Sequence, residues 1–311
     1  MATNEIQSRL VPLLAMASSN DTVLDLQDVF RRFSFDNICK FSFGLDPGCL
    51  ELSLPVSGFA VAFDEASRLS AERAMTPSPI VWNIKRLLNI GSEKKLKKAI
   101  GMVNDMAEQM IKQRPGRDTV AAALTSFFYL LSQNPEVESL IRDELDRVMK
   151  PVQEFASFEQ MREMHYLNAA VHESMRLYPP IQFDSKFSLE DDVLPDSTFV
   201  RKGTRVTYHP YAMGRMERIW GPDCLEFKPD RWLKDGVFVQ ECPFKYPVFQ
   251  AGVRVCLGKE MSLTEMKSVA VVLVRRFDIR VAGSIKELRF ATGLTATVRG
   301  GFPVRVQERG A

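Results

Sequence analysis

Cysteine is scarce in this chain. The five that occur, Cys39, Cys49, Cys224, Cys242 and Cys256, are scattered, odd in number and free of Cys-x-x-Cys spacing. That argues against a disulfide framework and against a structural zinc site. Long hydrophobic runs are missing too. Stretches such as "VAVVLV" at 269–274 fall far short of the roughly 20 apolar residues a helix needs to cross a bilayer. "MATNEIQSRL" contains no apolar signal core. No sign of charge dominates: 41 Lys and Arg face 39 Asp and Glu, a net charge of +2. Charge therefore points to neither nucleic acid nor an anionic membrane surface as a partner. There is no internal repeat, low-complexity tract or block of like charge. What remains is 311 residues of ordinary globular composition, 45% hydrophobic and 26% charged. That suffices for a sizeable core, and length alone suggests about two domains.

The first third reads as successive helices. "EIQSRLVPLLAMA" and "VLDLQDVFRRFSFDNICKFSFG" carry apolar residues near helical spacing, and "LDPG" at 45–48 marks a turn. "SEKKLKKAIGMVNDMAEQMIKQR" (92–114) predicts a long amphipathic helix with "KKLKK" on its solvated face. Pro115 and Gly116 should end it near Arg114, and a new helix should run from Asp118 or Thr119 to about Gln133. "NPEVESLIRDELDRVM" predicts the next, with Pro135 in its first turn. "MREMHYLNAAVHESMRLYP" (161–179) predicts one more, stopped by Pro179 and Pro180. After that the pattern changes. Residues 191–214 read as short strands, 219–236 as mostly irregular, and 259–277 as a strong helix. "LRFATGLTATVRGGFPVRVQE" (288–308) predicts a hairpin turning at "RGG". The fold class is mainly α with small β-sheets.

One stretch carries chemistry: "PVFQAGVRVCLGKEM" at 247–261. A cysteine that binds metal through a single thiolate wants amide or positive surroundings. The loop before a helix supplies free N–H groups, and flanking glycines let the backbone turn sharply or approach closely. Gly252 and Gly258 bracket Cys256, Arg254 lies two residues before it, and Phe249 stands where it can shield the sulfur from water. A flat, dianionic haem needing an axial ligand matches all four features. A lone cysteine is usually an inert core residue. Phe-x-x-Gly-x-Arg-x-Cys-x-Gly, with five fixed positions, arises by chance only on the order of once in ten thousand tries.

This loop resembles the haem-binding loop of the cytochromes P-450, the haem-thiolate monooxygenases. The resemblance implies haem b as cofactor, Cys256 as axial thiolate to its iron, and Arg254 on a haem propionate. A second motif agrees: "ESMR" sets Glu173 and Arg176 three apart on a helix, and "FKPDRW" supplies Arg231. In the family such a trio forms a buried charge network of structural role. "PGRDT" (115–119) is similar to the family's proton-handling motif on the central helix at Gly116, Asp118 and Thr119, and departs from it at Pro115. Asp118 and Thr119 are therefore read two ways, as catalytic residues or as a plain helix N-cap. Lys186 is a further candidate for a haem propionate, or an exposed lysine. Ile181 and Phe183 in "PPIQFD", with Gly293 and Leu294 in "TGLT", match the stretches that line the family's substrate pocket; each could equally be core.

The resemblance also exposes losses. The family's propionate-gripping Trp-x-x-x-Arg motif belongs to an early helix expected ahead of this chain's start; within the chain only Trp82 is followed four residues on by arginine, Arg86. The expected fold is an incomplete cytochrome P-450 fold without anchor, first sheet, early helices and part of the central helix. It forms a single partial domain over 1–311, with a helical part at 1–114 and a haem-binding core and C-terminal hairpin at 115–311. "LDLQDVFRRFSFDNICKFSFGLDP", "QFDSKF" and "VTYHPYAMGRMERIWGPD" resemble plant family ninety-four, most of all its subfamily C. That implies oxidation of the terminal carbon of a fatty acid or of jasmonoyl-isoleucine, with possible further oxidation to the acid. Electrons would come from NADPH through a separate cytochrome P-450 reductase, and O2 is a substrate. The family sits on the cytosolic face of the endoplasmic reticulum membrane; a chain without the anchor points instead to the cytosol. The alternative reading is an inactive remnant that keeps the cysteine loop without holding haem productively.

Overall fold

In a computed structural model, α1 (residues 2–19) begins as ordinary helix, is wound as π-helix over Ile6–Leu10, and continues as α-helix over Val11–Ser19. The structure describes residues 2–43, 46–50, 65–66, 68–70, 72–73, 79–110, 117–283, 285, 287–291 and 293–310. Ile6, Leu10, Leu13, Leu14 and Ala17 recur every three or four positions along α1 and are buried, the apolar stripe expected of a surface helix. After a two-residue strand, β1 (Leu24–Asp25), α2 (Leu26–Phe43) buries Leu26, Val29, Phe30 and Phe33 on one face. Two further helices follow, α3 (Pro79–Leu87) and α4 (Gly91–Met110). The expected stop near Arg114 lies outside the described residues.

Helix α5 (Arg117–Gln133) is the centre of the molecule. Val120–Ala123, Leu124, Phe127, Phe128, Leu130 and Leu131 are all buried. A helix apolar on every side must be covered on every side. It packs on α2, on α6 (Pro135–Val148), on α8 (His165–Leu177) and on α11 (Lys259–Arg276). Its two buried alcohols include Thr125, whose Oγ1 donates to the Ala121 carbonyl at 2.7 Å. One hydrophobic cluster runs from Ile6 to Val306.

The single helix expected over 161–179 is instead two. Helix α7 (Phe158–Glu163) carries a Ser157–Gln160 capping box, and α8 starts afresh after Met164, which leaves helical geometry at ψ 76°. The break has a remote cause. Glu144 of α6 is buried and its two carboxylate oxygens accept from the Tyr166 and Leu167 amides at 2.8 Å each. A carboxylate from another helix thus satisfies the free N–H groups of α8's first turn.

The β-structure is small and antiparallel. β2 (Asp184–Phe187) pairs with β5 (Arg205–Tyr208), and β3 (Asp192–Val193) with β4 (Phe199–Val200). Short helical turns α9 (Pro210–Met213) and α10 (Glu217–Trp220) follow, where the sequence predicts a strand and irregular chain. β6 (Leu233–Lys234) pairs with β7 (Val237–Phe238) across Asp235 and Gly236, both at positive φ, the Asp-Gly hairpin turn. The expected hairpin across "RGG" is corrected. Arg299–Gly301 does turn the chain, but β9 (Phe290–Ala291) pairs with β10 (Thr297–Val298) before it. β11 (Pro303–Glu308) pairs instead with β8 (Phe277–Val281) on one side and β1 on the other. Burial accompanies this pairing: Val304 and Val306 are buried beside Val281 and Ile279 of β8.

Candidate active site

The cysteine loop is a chain of tight turns between the core and α11. Pro247–Phe249 and Gly252–Arg254 are single 3-10 turns. The Cys256 amide donates to the Phe249 carbonyl at 2.8 Å and closes the loop. Gly252 sits at φ +68°, open to left-handed backbone because it has no Cβ. Gly258 caps α11, where a Cβ would stand 3.9 Å from the Cys256 Sγ. Phe249 is half-buried against the core cluster, whereas Arg254, Cys256 and Leu257 are exposed. Arg254 has no hydrogen bond or ion pair among the described residues.

These residues fit one kind of metal group. Among the described residues no three His, Cys, Asp or Glu converge to hold an ion. A metal bound here through Cys256 alone must bring its remaining ligands with it, as the iron of haem does. The unpaired Arg254 guanidinium two residues away suits an acidic substituent on the same ligand.

Behind the loop lies the charge network. Arg176 grips Glu173 bidentately, Nε to Oε2 and Nη2 to Oε1, both at 2.8 Å. Arg231 Nε reaches Glu173 Oε1 at 3.3 Å, and the Trp232 indole donates to Oε2 at 2.8 Å. Arg176 also donates to the carbonyls of Gly214, Cys224 and Glu226, and Arg231 to Trp220 and Asp223. Glu173 and Arg176 are fully buried, so each would be costly unpaired. Together they tie α8 to the chain over 214–232. The role of Trp232 escapes a motif search, although its indole stands one residue from Arg231. His172, in tilted contact with the rings of Trp232, Phe238 and Tyr246, is pushed down to about 4 by burial.

The remaining candidates fall in three places. The described part of helix α5 begins at Arg117, so Asp118 and Thr119 lie near its start. Lys186 is exposed on β2 and pairs with Asp184 at 2.9 Å. The two candidate pocket walls meet: the Ala296 amide donates to the Pro180 carbonyl at 2.8 Å. Ile181, Phe183 and Gly293 are half-buried and Leu294 is 51% exposed. Two cavities lie elsewhere, both against α11. One of 430 Å3 is lined by Asn37, Phe41, Met161 and Glu265, and one of 340 Å3 by Asn168, His172 and Lys267. Neither is lined by Cys256 or by the pocket candidates.

With this geometry in place, comparison with known proteins is informative. The sequence model of the cytochrome P450 family matches residues 115–299. The chain is 57% identical to cytochrome P450 94C1 of Arabidopsis thaliana over 347 positions, covering 98% of this chain and 70% of that protein. It is 42% identical to cytochrome P450 94A2 of Vicia sativa (98% and 68% covered) and 40% to cytochrome P450 94B3 of Arabidopsis thaliana (98% and 69%). The span of 347 aligned positions exceeds the 311 residues present, so within it the Arabidopsis relative carries residues that this chain lacks.

Proposed function

Since the chain belongs to the cytochrome P450 monooxygenase family, we propose that it is a haem-thiolate oxygenase acting on the terminal C–H bond of an apolar carboxylate, a fatty acid or jasmonoyl-isoleucine. One oxygen atom of O2 enters that bond and the other leaves as water, with two electrons from NADPH and two protons completing the balance. A second round would carry the alcohol toward the acid. The observation that supports this reading is the cysteine loop: one exposed thiol, one unpaired arginine and two glycines within seven residues.

When bound, haem b supplies the oxygen activation itself. The chain's residues hold and shield. Cys256 would hold the iron through its thiolate, favoured by the amides at the start of α11. Arg254 would neutralise a propionate, and Lys186 is assigned the second, for which it would have to leave Asp184. Phe249 would shield the sulfur once haem covers the loop. Glu173, Arg176 and Arg231 keep α8 and the loop's supporting chain in register. Thr119 and Asp118 are assigned the handling of protons, and Ile181, Phe183, Gly293 and Leu294 the lining of the apolar pocket. A separate NADPH-dependent reductase is the electron partner. Residence on the endoplasmic reticulum membrane is proposed from the family; among the described residues no helix is long and apolar enough to cross a membrane.

A second reading has its own support. The shortfall against the Arabidopsis relative favours a remnant that cannot hold haem. The reduced, carbon-monoxide difference spectrum of haem-supplemented protein separates the two. The thiolate band characteristic of the family, lost in Cys256→Ser, is the expected result. Its absence from the wild-type chain overturns the oxygenase reading in favour of the remnant.

A further inference from the structure

Gln250 occupies a backbone region that almost only glycine enters. Its φ is 66° and its ψ 173°. Among the described residues four other non-glycine residues have positive φ, Asp21, Asn89, Ser197 and Asp235, and all carry short polar side chains. Gln250 alone among these five is long, and it stands inside the cysteine loop.

Its side chain is held at both ends. Gln250 Nε2 donates to Asp184 Oδ2 at 2.8 Å, and the Tyr208 hydroxyl donates to Gln250 Oε1. Asp184 and Tyr208 face each other across the β2–β5 pair. The Asp184 carboxylate is itself fixed: Lys186 Nζ reaches Oδ2 at 2.9 Å and the Ser185 amide reaches Oδ1 at 2.8 Å. Burial works against its charge, but these hydrogen bonds and that of Gln250 outweigh it and hold its pKa below the ordinary value. Two strands far away in sequence thus grip one residue of the loop.

The strained torsion has a local purpose. The Phe249 carbonyl and the Gln250 nitrogen belong to one planar peptide unit. The φ of Gln250 therefore sets where that carbonyl points, and it points at the Cys256 amide, 2.8 Å away. We infer that Gln250, clamped by Asp184 and Tyr208, is a positioning residue that aims the Phe249 carbonyl and so fixes the conformation of the loop carrying Cys256. Its bearing on iron ligation rests on the oxygenase reading; the clamp itself does not.

The test uses the full 311-residue chain without haem. The amide exchange of Cys256 and the alkylation rate of its thiol, followed by mass spectrometry of its own peptide, report opening of the loop. Gln250→Ala removes the clamp and keeps the strain, so both rates should rise about tenfold. Gln250→Gly removes clamp and strain together and should return both rates to within about threefold of wild type, because glycine accepts that torsion freely. Asp184→Asn should fall between wild type and Gln250→Ala. Gln250→Ala with wild-type rates, or Gln250→Gly as open as Gln250→Ala, overturns the inference. The haem spectra then judge the oxygenase reading separately: no thiolate band in wild type, with the expected order of rates intact, sinks that reading and leaves the clamp standing.

Discussion

At Gly214 a side chain has nowhere to go. A Cβ there would stand 2.1 Å from the Arg176 carbonyl oxygen and 3.3 Å from that of Pro210. Both obstacles are backbone, so neither can swing aside. Gly214→Ala should therefore cost about 3 kcal/mol and lower the urea midpoint. Gly101→Ala, in a helix with no atom within 4 Å of the new methyl, should be neutral or slightly stabilising. At this scale the sequence was readable where the chemistry is local. Cys256, Arg254 and the two glycines stand within seven residues and can be read together. Glu173 and Arg176 are one helical turn apart. Gln250 meets Asp184 across 66 residues and Trp232 meets Glu173 across 59, and no spacing rule reaches so far.

Helix α8 owes its start to another helix. Glu144 accepts two of its leading amides, so Glu144→Ala should cost about 2 kcal/mol. Hydrogen exchange would locate the damage: the Tyr166 and Leu167 amides should lose protection first, ahead of the rest of α8. Unchanged protection there would show that the carboxylate is not the cap. This remote cap is also why apolar periodicity merges α7 and α8 into one helix. The pattern continues across Met164, and the residue that breaks it is 22 positions away from Tyr166. Prolines and apolar stripes made most helices legible. Strand partners were less so, because β11 is chosen by the burial of Val304 and Val306 against β8, not by the turn that precedes it.

For the molecule as a whole, two buried groups set opposite dependences on pH. Burial pushes Glu265 up from 4.5 to about 7, only partly offset by the hydrogen bond from Asn37 at 3.0 Å. Unfolded, it ionises first, so the folded state holds the extra proton between those values. Its contribution is full below about pH 4.5 and falls as pH rises through 7, by on the order of 3 kcal/mol. His172 runs the other way: lowered to about 4, it stabilises above its ordinary 6.5 and loses that contribution as pH falls toward 4. Denaturation of wild type and Glu265→Gln at several pH values separates them. The stability of wild type relative to the variant should drop from pH 4.5 to 7 and then level off; a constant difference would mean that Glu265 ionises normally. Closure of the molecule is the other whole-chain property. Asp25 accepts from the Phe302 amide across 277 residues, and β1 lies beside β11. On the ribosome, where synthesis proceeds at roughly 5–20 residues per second, β1 is made some 277 residues ahead of its partner. For that interval the sheet stays open on the nascent chain, until β11 leaves the exit tunnel and shuts it between β1 and β8.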